Sequence, residues 1–308
     1  MDRLDAMTLF LAIAEAGSLA GAGRRLRVPV QTVSRKLAAL EAHLGARLLT
    51  RTTRRLALTE EGRHYAEACQ RILHDVDEAE RWVAGRHAEP SGSLVLTAPV
   101  VFGRLHVLPL LLAFLDAHPK ADARLLLVDR VVDLVEEGID LAVRIGTLPD
   151  SSLIARRVGG LRRVACASPD YLDRRGVPSA PEDLARHDCI TFAGIASTVR
   201  WVFNDDRGDR PVSIRSRLVV TTAEAAVDAA IAGLGVVRLL SYQIAAALAE
   251  RRLRLLLEAF EPPEAPVNIV GVEARSVPTR VRALGDFLEP RLRRRLTELG
   301  RQKALRRG

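Results

Sequence analysis

Gln31, Thr32, Ser34, Arg35 and Lys36 place amide, hydroxyl, guanidinium and ammonium groups in one short run. Val33, Leu37, Leu40 and Leu44 step through the same segment by four, three and four, so one side of a helix is apolar and the other hydrogen-bonding. Such groups on a rigid helix suit base edges and phosphates in the major groove of duplex DNA. A second cluster follows, Arg51, Thr52, Thr53, Arg54 and Arg55, flanked by Leu48, Leu49, Leu56 and Leu58. Two short strands around a basic tip make a wing, whose arginines suit the narrow minor groove. Either feature alone also describes a solvated charged face. Together and in this order they point to DNA.

The elements that must hold these groups are legible upstream. Leu4, Met7, Phe10, Leu11 and Ala14 recur at helical spacing up to Gly17, and Ser18 is placed to cap a second helix. In SLAGAGRRL the small residues let that helix, with Leu19, Ala22 and Leu26 on one face, pack closely. Charge is distributed unevenly. The net +8 divides into +6 over residues 1–58, +7 over 291–308 and −5 between them. A basic end on an acidic body is the footprint of a nucleic-acid-binding module joined to something else. For the tail, an arginine-rich composition is an alternative explanation.

Other chemistry finds little support. There is no GxSxG elbow and no GxxxxGK[ST] phosphate loop, and Gly233, Leu234, Gly235 reads as a strand-entry turn. The three cysteines (Cys69, Cys166, Cys189) are widely spaced without a CxxC, and the seven histidines are scattered. They read as core thiols with no metal site, no cofactor and no enzyme. Val107–Leu115, the longest kind of apolar stretch, falls short of the ~20 residues of a membrane span. The N-terminus lacks the plan of a secretory signal, so the expected location is the cytoplasm, away from membranes.

Thr59, followed by Glu60 and Glu61, starts a long helix. Tyr65, Cys69, Ile72, Val76, Ala79 and Val83 then recur at heptad spacing. At 1.5 Å per residue this helix is on the order of 40 Å long, with a narrow apolar stripe that predicts pairing with a second copy. Packing of the stripe on its own domain is the alternative. Residues 60–90 are thus a linker and hinge after a head of residues 1–59.

From Ser91 onward, strands and helices alternate. LVLTAP, ADARLLLVD, IDLAVRIG, LRRVACAS, DCITFAG, RLVVTT, LGVVRLL and PVNIVGVE read as strands. Val101–Ala117, VVDLVEEG, Pro169–Arg174, AEAAVDAAIAG and Pro278–Leu292 read as helices. The rhythm predicts an open, mainly parallel α/β sheet. In such sheets ligands lie beyond the strand C-termini. That selects Thr97, Ala98, Pro99, Val100, Val101 and Phe102 after the first strand, Arg144, Ile145, Gly146 and Thr147 after the third, and Thr221, Thr222 and Ala223 at a later helix start. With Leu239 nearby, these predict a partly apolar acid held by free amides and Arg144. Thr222 as an ordinary cap, and Arg144 paired with an acid, are the alternatives.

The run from Leu4 to Gly62, with EAGSLAGAGRRL and TVSRKLAALEAHLGARLLTRTTRRLALTEEG at their spacing, resembles the winged helix-turn-helix of LysR-type transcriptional regulators. The body resembles their CrgA-like branch. The resemblance implies an α/β chain with an N-terminal all-α winged helix-turn-helix, a long dimerising linker helix and a two-lobed Rossmann-like effector domain of the type 2 periplasmic-binding-protein kind. The first lobe would hold residues 91–161 and 268–292, the second 162–267, leaving 293–308 as a disordered basic tail. DNA contact falls to Ser18, Gln31, Thr32, Ser34, Arg35, Lys36, Arg51, Thr52, Thr53 and Arg54. The implied partners are an interrupted palindrome near a promoter, a small-molecule effector, a second or fourth copy of the chain, and RNA polymerase. The turn departs from the common pattern: Arg27 replaces a usual Gly, and Pro29 and Val30 stand where Ser and Gln are frequent. A two-lobed solute-binding protein shares the body but not the basic head. A redox switch through Cys166 and Cys189, as in peroxide-sensing members, is the other alternative.

Overall fold

The computed structural model describes residues 2–51, 56–83, 89–148, 153–193, 200–272 and 277–301. The chain divides into two compact units, residues 1–93 and 94–308.

In the first unit α1 (Arg3–Ala16), α2 (Leu19–Leu26) and α3 (Val30–Leu44) precede β1 (Leu49–Arg51), β2 (Leu56–Leu58) and the long α4 (Glu60–Val83). Polar caps start the first two helices: Asp2 accepts from the Leu4 amide at 3.0 Å, and Ser18 Oγ from the Gly21 amide at 3.1 Å. Phe10, Ile13, Ala22, Val33 and Cys69 form the fully buried centre. The strands pair antiparallel, Leu49 opposite Leu58.

The linker stripe needs correcting. Cys69 is buried in the head's own core, and the Tyr65 ring stands 5.5 Å from that of Phe10. The first turns of α4 pack along α1, so Cys69 is not available to a partner chain, and Tyr65 is half covered by its own domain. Ile72 and Ala79 remain exposed and Val76 half-buried, while the side chain of Val83 lies outside the described residues.

The boundary between the units falls within β3 (Gly92–Ala98), most of which belongs to the second. Next come α5 (Val100–Phe102), a π-helical turn at Gly103–Val107 and α6 (Leu108–Ala117), one continuous helix. β4 (Ala121–Leu127), β5 (Leu141–Ile145) and β6 (Leu153–Leu161) complete the outbound half of the first lobe. The second lobe holds β7 (Arg163–Ala167), α7 (Pro169–Arg175), β8 (Asp188–Phe192), β9 (Arg200–Asp205), β10 (Gly208–Ser213), β11 (Arg215–Val220), α8 (Ala223–Ile231), β12 (Val236–Leu240), α9 (Ala245–Ala249) and β13 (Arg254–Leu256). β14 (Ala265–Val272) returns to the first lobe, and α10 (Thr279–Arg301) ends the described chain.

Each lobe is a five-stranded sheet, ordered β4-β3-β5-β14-β6 and β11-β8-β12-β7-β13. Both are mixed, which corrects the mainly parallel expectation. β3 and β5 run parallel, as do β8 with β11 and β12, whereas β14 opposes β5 and β6, and β7 opposes β12 and β13. The reversal follows from the crossing strands: β6 leads out of the first lobe and β14 comes back beside it. Helix Val100–Ala117 is long and apolar enough to cross a membrane, yet its Val101, Phe102, Val107, Leu111 and Phe114 are buried in the core of this lobe.

Four further readings change. VVDLVEEG is a turn, not a helix. Asp133 Oδ1 accepts from the Val135 and Glu136 amides at 2.8 and 3.0 Å, and three valines in so short a run give little helical drive. IARRVGGL, not read as a strand, is most of β6, and the hairpin β9–β10 was likewise missed. The tail is helical to Arg301 because Leu288, Leu292 and Leu296 continue the buried stripe of α10. Residues 302–308 lie outside the described residues.

Candidate DNA-contacting head and effector cleft

The turn before α3 is held by its backbone. Arg27 takes a left-handed conformation, φ 56°, in which a non-glycine residue costs about 1 kcal/mol. Val28 N donates to Gly23 O at 3.0 Å, and Pro29 O accepts from the Thr32 and Val33 amides. With Val33, Leu37 and Leu40 buried, α3 turns Gln31, Ser34 and Arg35 outward, with Thr32 half-buried at the edge. Lys36 does not join them cleanly: its Nζ pairs with Asp5 Oδ2 at 2.6 Å on the α1 side. Both partners are exposed, so the pair holds little energy and a phosphate could displace it. Ser18, half-buried, acts here as the cap of α2. Arg51 ends β1. Its side chain, with Thr52, Thr53 and Arg54, lies outside the described residues.

In the body, Arg144 is half-buried at the end of β5 and donates from Nη2 to Thr97 Oγ1 at 3.4 Å. Burial lowers its pKa, with Glu137 and Asp129 acting in the opposite sense. The start of α5 carries an anion of its own. Asp129 Oδ1 accepts from the Val100 amide at 3.2 Å, so the donor expected to be free for an effector carboxylate is already engaged. Burial raises the Asp129 pKa, and Glu224 adds to the rise. Arg104 Nη2 reaches within 3.9 Å of Glu224 Oε1 in the first turn of α8, so the helix starts of the two lobes face each other. Thr222 is an ordinary cap, accepting from the Ala225 amide at 3.3 Å.

Gly146 donates its amide to Pro266 O at 2.8 Å and sits at φ 112°, a conformation suited to glycine. Pro99, Val100 and Ile145 are half-buried, and Thr147, Thr221 and Thr222 are exposed. Ala98, Val101, Phe102, Ala223 and Leu239 are not lining residues: they are buried within the apolar core. Thr97, equally buried, reaches the site only through its hydroxyl. Cys166 and Cys189 are buried with thiol pKa values pushed by burial to about 12, which leaves almost no thiolate to react at neutral pH.

Residues 4–63 match the family described as bacterial regulatory helix-turn-helix protein, lysR family, and residues 87–293 match the LysR substrate binding domain. The chain belongs to the LysR family. It is 36% identical to the HTH-type transcriptional regulator PtxR of Pseudomonas aeruginosa over 96% of each chain. It is 35% identical to the HTH-type transcriptional regulator CrgA of Neisseria meningitidis over 92% of this chain and 94% of that one. The solved structure of CrgA matches with a TM-score of 0.59 and 32% identity, covering 94% of this chain and 98% of the other. Full-length AphB of Vibrio cholerae, a virulence activator, matches with a TM-score of 0.59 and 26% identity over 93% and 98%. This LysR protein is therefore a DNA-binding transcription regulator with an effector-binding domain, not an enzyme.

Pattern reading missed the residue that sets the LysR wing against its recognition helix. Glu41 Oε1, on α3, accepts from the backbone amides of Leu48 and Leu49 at 2.8 and 3.2 Å. Nothing in its spacing marks it, because the partners are main-chain groups. Glu41→Ala leaves both amides beside buried leucines without an acceptor. The expected cost is about 1 to 3 kcal/mol in urea unfolding, with DNA affinity reduced as the wing loosens. An unchanged midpoint would mean water replaces the carboxylate. Asp129, Arg104 and Glu224 were also missed, since only the tertiary fold sets them near one another.

Proposed function

We propose that a homodimer of this regulator reads an interrupted palindrome near a promoter, and that a small-molecule effector bound between the lobes shifts its oligomer between two arrangements. The outward set Gln31, Ser34 and Arg35 on a braced helix carries the DNA half of this reading. Cations there and on the wing supply affinity that falls with salt, while α3 supplies sequence choice. Ile72, Val76 and Ala79 are the described part of the linker stripe left for a partner copy, Val83 continues the same spacing in the sequence, and pairing of dimers into tetramers is the next step. The cytoplasm is where such a dimer meets DNA and RNA polymerase.

For the effector, the supporting observation is the polar ring of Thr97, Asp129, Arg144 and Glu224 around the two helix starts. Because Asp129 already covers the α5 terminus, the ring favours a partly apolar ligand that both donates and accepts hydrogen bonds over a simple carboxylate. An effector acts only if it binds one arrangement better than the other. Footprinting of the upstream region, with and without a metabolite panel, tests both halves. Arg35→Ala is expected to weaken operator binding by about 1 to 3 kcal/mol with little change on random DNA. An equal loss on both would make Arg35 a phosphate contact, and no footprint at low salt would defeat the reading.

A further inference from the structure

The half-buried arginines of the second lobe are not all compensated. Arg162 pairs with Glu261 and Glu258, and Arg210 with Glu182 and Asp205. Arg163 and Arg238 differ. The register of β7 and β12 sets Arg163 opposite Leu240 and Arg238 opposite Ala165, so the two guanidinium groups occupy diagonal positions on one face of the sheet. That face lies under the hairpin β9–β10, whose Trp201, Phe203 and Val212 pack against Ala165 and Val236. Arg238 stacks over the Phe203 ring, 4.9 Å from its centroid, and donates to Val202 O. The stacking orients its planar fork, and both residues keep part of their surface open to solvent.

Among the described residues neither arginine has a carboxylate partner, and the adjoining segment 194–199 contains no Asp or Glu. Burial, and then the neighbouring Arg163 charge, pulls the Arg238 pKa down to about 9, and burial lowers that of Arg163. Two like charges drawn together out of water are costly without a counterion.

We propose that Arg163 and Arg238 form an oxyanion site in the second lobe, taking a phosphate or a small carboxylate between their guanidinium groups. The site is separate from the ring of Thr97, Asp129, Arg144 and Glu224 and does not depend on the effector reading. Its chemistry is that of two forked donors on a compact anion with two or more oxygens.

The test titrates the full-length protein with sodium phosphate, and separately with succinate, against sodium chloride at matched ionic strength, following the thermal midpoint. A saturable rise is expected with at least one anion, and which one identifies the source. Arg163→Gln and Arg238→Gln each weaken it about tenfold or more, Arg238→Lys weakens it less, and Arg186→Gln, at an exposed arginine elsewhere in the second lobe, leaves it unchanged. The cationic head is intact in all four variants, so its contribution cancels. Without added anion, Arg163→Gln is expected to melt no lower than the parent, since it removes a repulsion. Chloride acting as well as phosphate and succinate, an unaltered titration in the Arg163→Gln, Arg238→Gln double variant, or a destabilised Arg163→Gln without anion would each overturn the site.

Discussion

Gly62→Ala is expected to destabilise the head by about 3 kcal/mol or more, the upper end for overpacking, and to abolish operator binding at physiological temperature. A β-carbon at this position would stand 2.0 Å from Leu48 O and 2.9 Å from Leu48 C. Neither atom can swing aside, because both are backbone. Leu48 is 1% exposed, its amide is held by Glu41, and its carbonyl accepts from the Thr59 amide at 3.0 Å. Thr59 Oγ1 in turn accepts from the Gly62 amide at 2.8 Å and donates to Arg47 O at 2.7 Å. Wing and linker helix therefore meet backbone to backbone through the one residue type that leaves room. Urea unfolding alongside a low-salt binding assay decides it: an alanine variant with the parent's midpoint and affinity would show that the joint can relax.

The second large effect is an acid loss of stability centred on His106. This side chain is 5% exposed in the π turn, between the rings of Phe102 and Tyr242 at centroid distances of 4.9 and 5.6 Å. Its Nδ1 accepts from Arg295 Nε at 3.3 Å, while its Nε2 is buried without a hydrogen-bond partner among the described residues. Burial foremost, and Arg295 next, lower its pKa to about 4. In the unfolded chain the ring takes a proton near ~6.5. Stability from this group is then complete above pH ~6.5 and declines as pH falls towards 4, by about 3 kcal/mol in all, because the unfolded state binds a proton that the native state refuses. His106→Gln keeps an acceptor for Arg295 and has nothing to titrate. Unfolding free energies measured from pH 7 to 4 should fall less steeply in this variant. Parallel curves for parent and variant would assign the acid sensitivity to other groups.

These two sites differ in what the sequence reveals about them. TEEG marks a helix start from spacing alone, yet the need for glycine within it arises from contact with Leu48, fourteen residues upstream. His106 reads as one scattered histidine until the π turn rotates it inward. The misread elements share a cause. VVDLVEEG has apolar periodicity, but Asp133 ties up its amides locally. Tyr65 and Cys69 have heptad spacing, but spacing names an apolar face without naming what covers it, and here α1 does so first.

Local rules, which act over one or two helical turns, thus determined the head, its outward polar set, the wing strands, the linker helix and the alternation of strands and helices in the body. Capping, periodicity and turn chemistry are all short-range, so they survive in a string of letters. Strand order, the crossing of β6 and β14, the occupation of the Val100 amide by Asp129, and the lack of a carboxylate partner for Arg163 and Arg238 among the described residues were decided only by the tertiary structure. Each depends on which distant segments share a sheet, and hydrogen bonding and desolvation act between neighbours in space, whatever their separation along the chain.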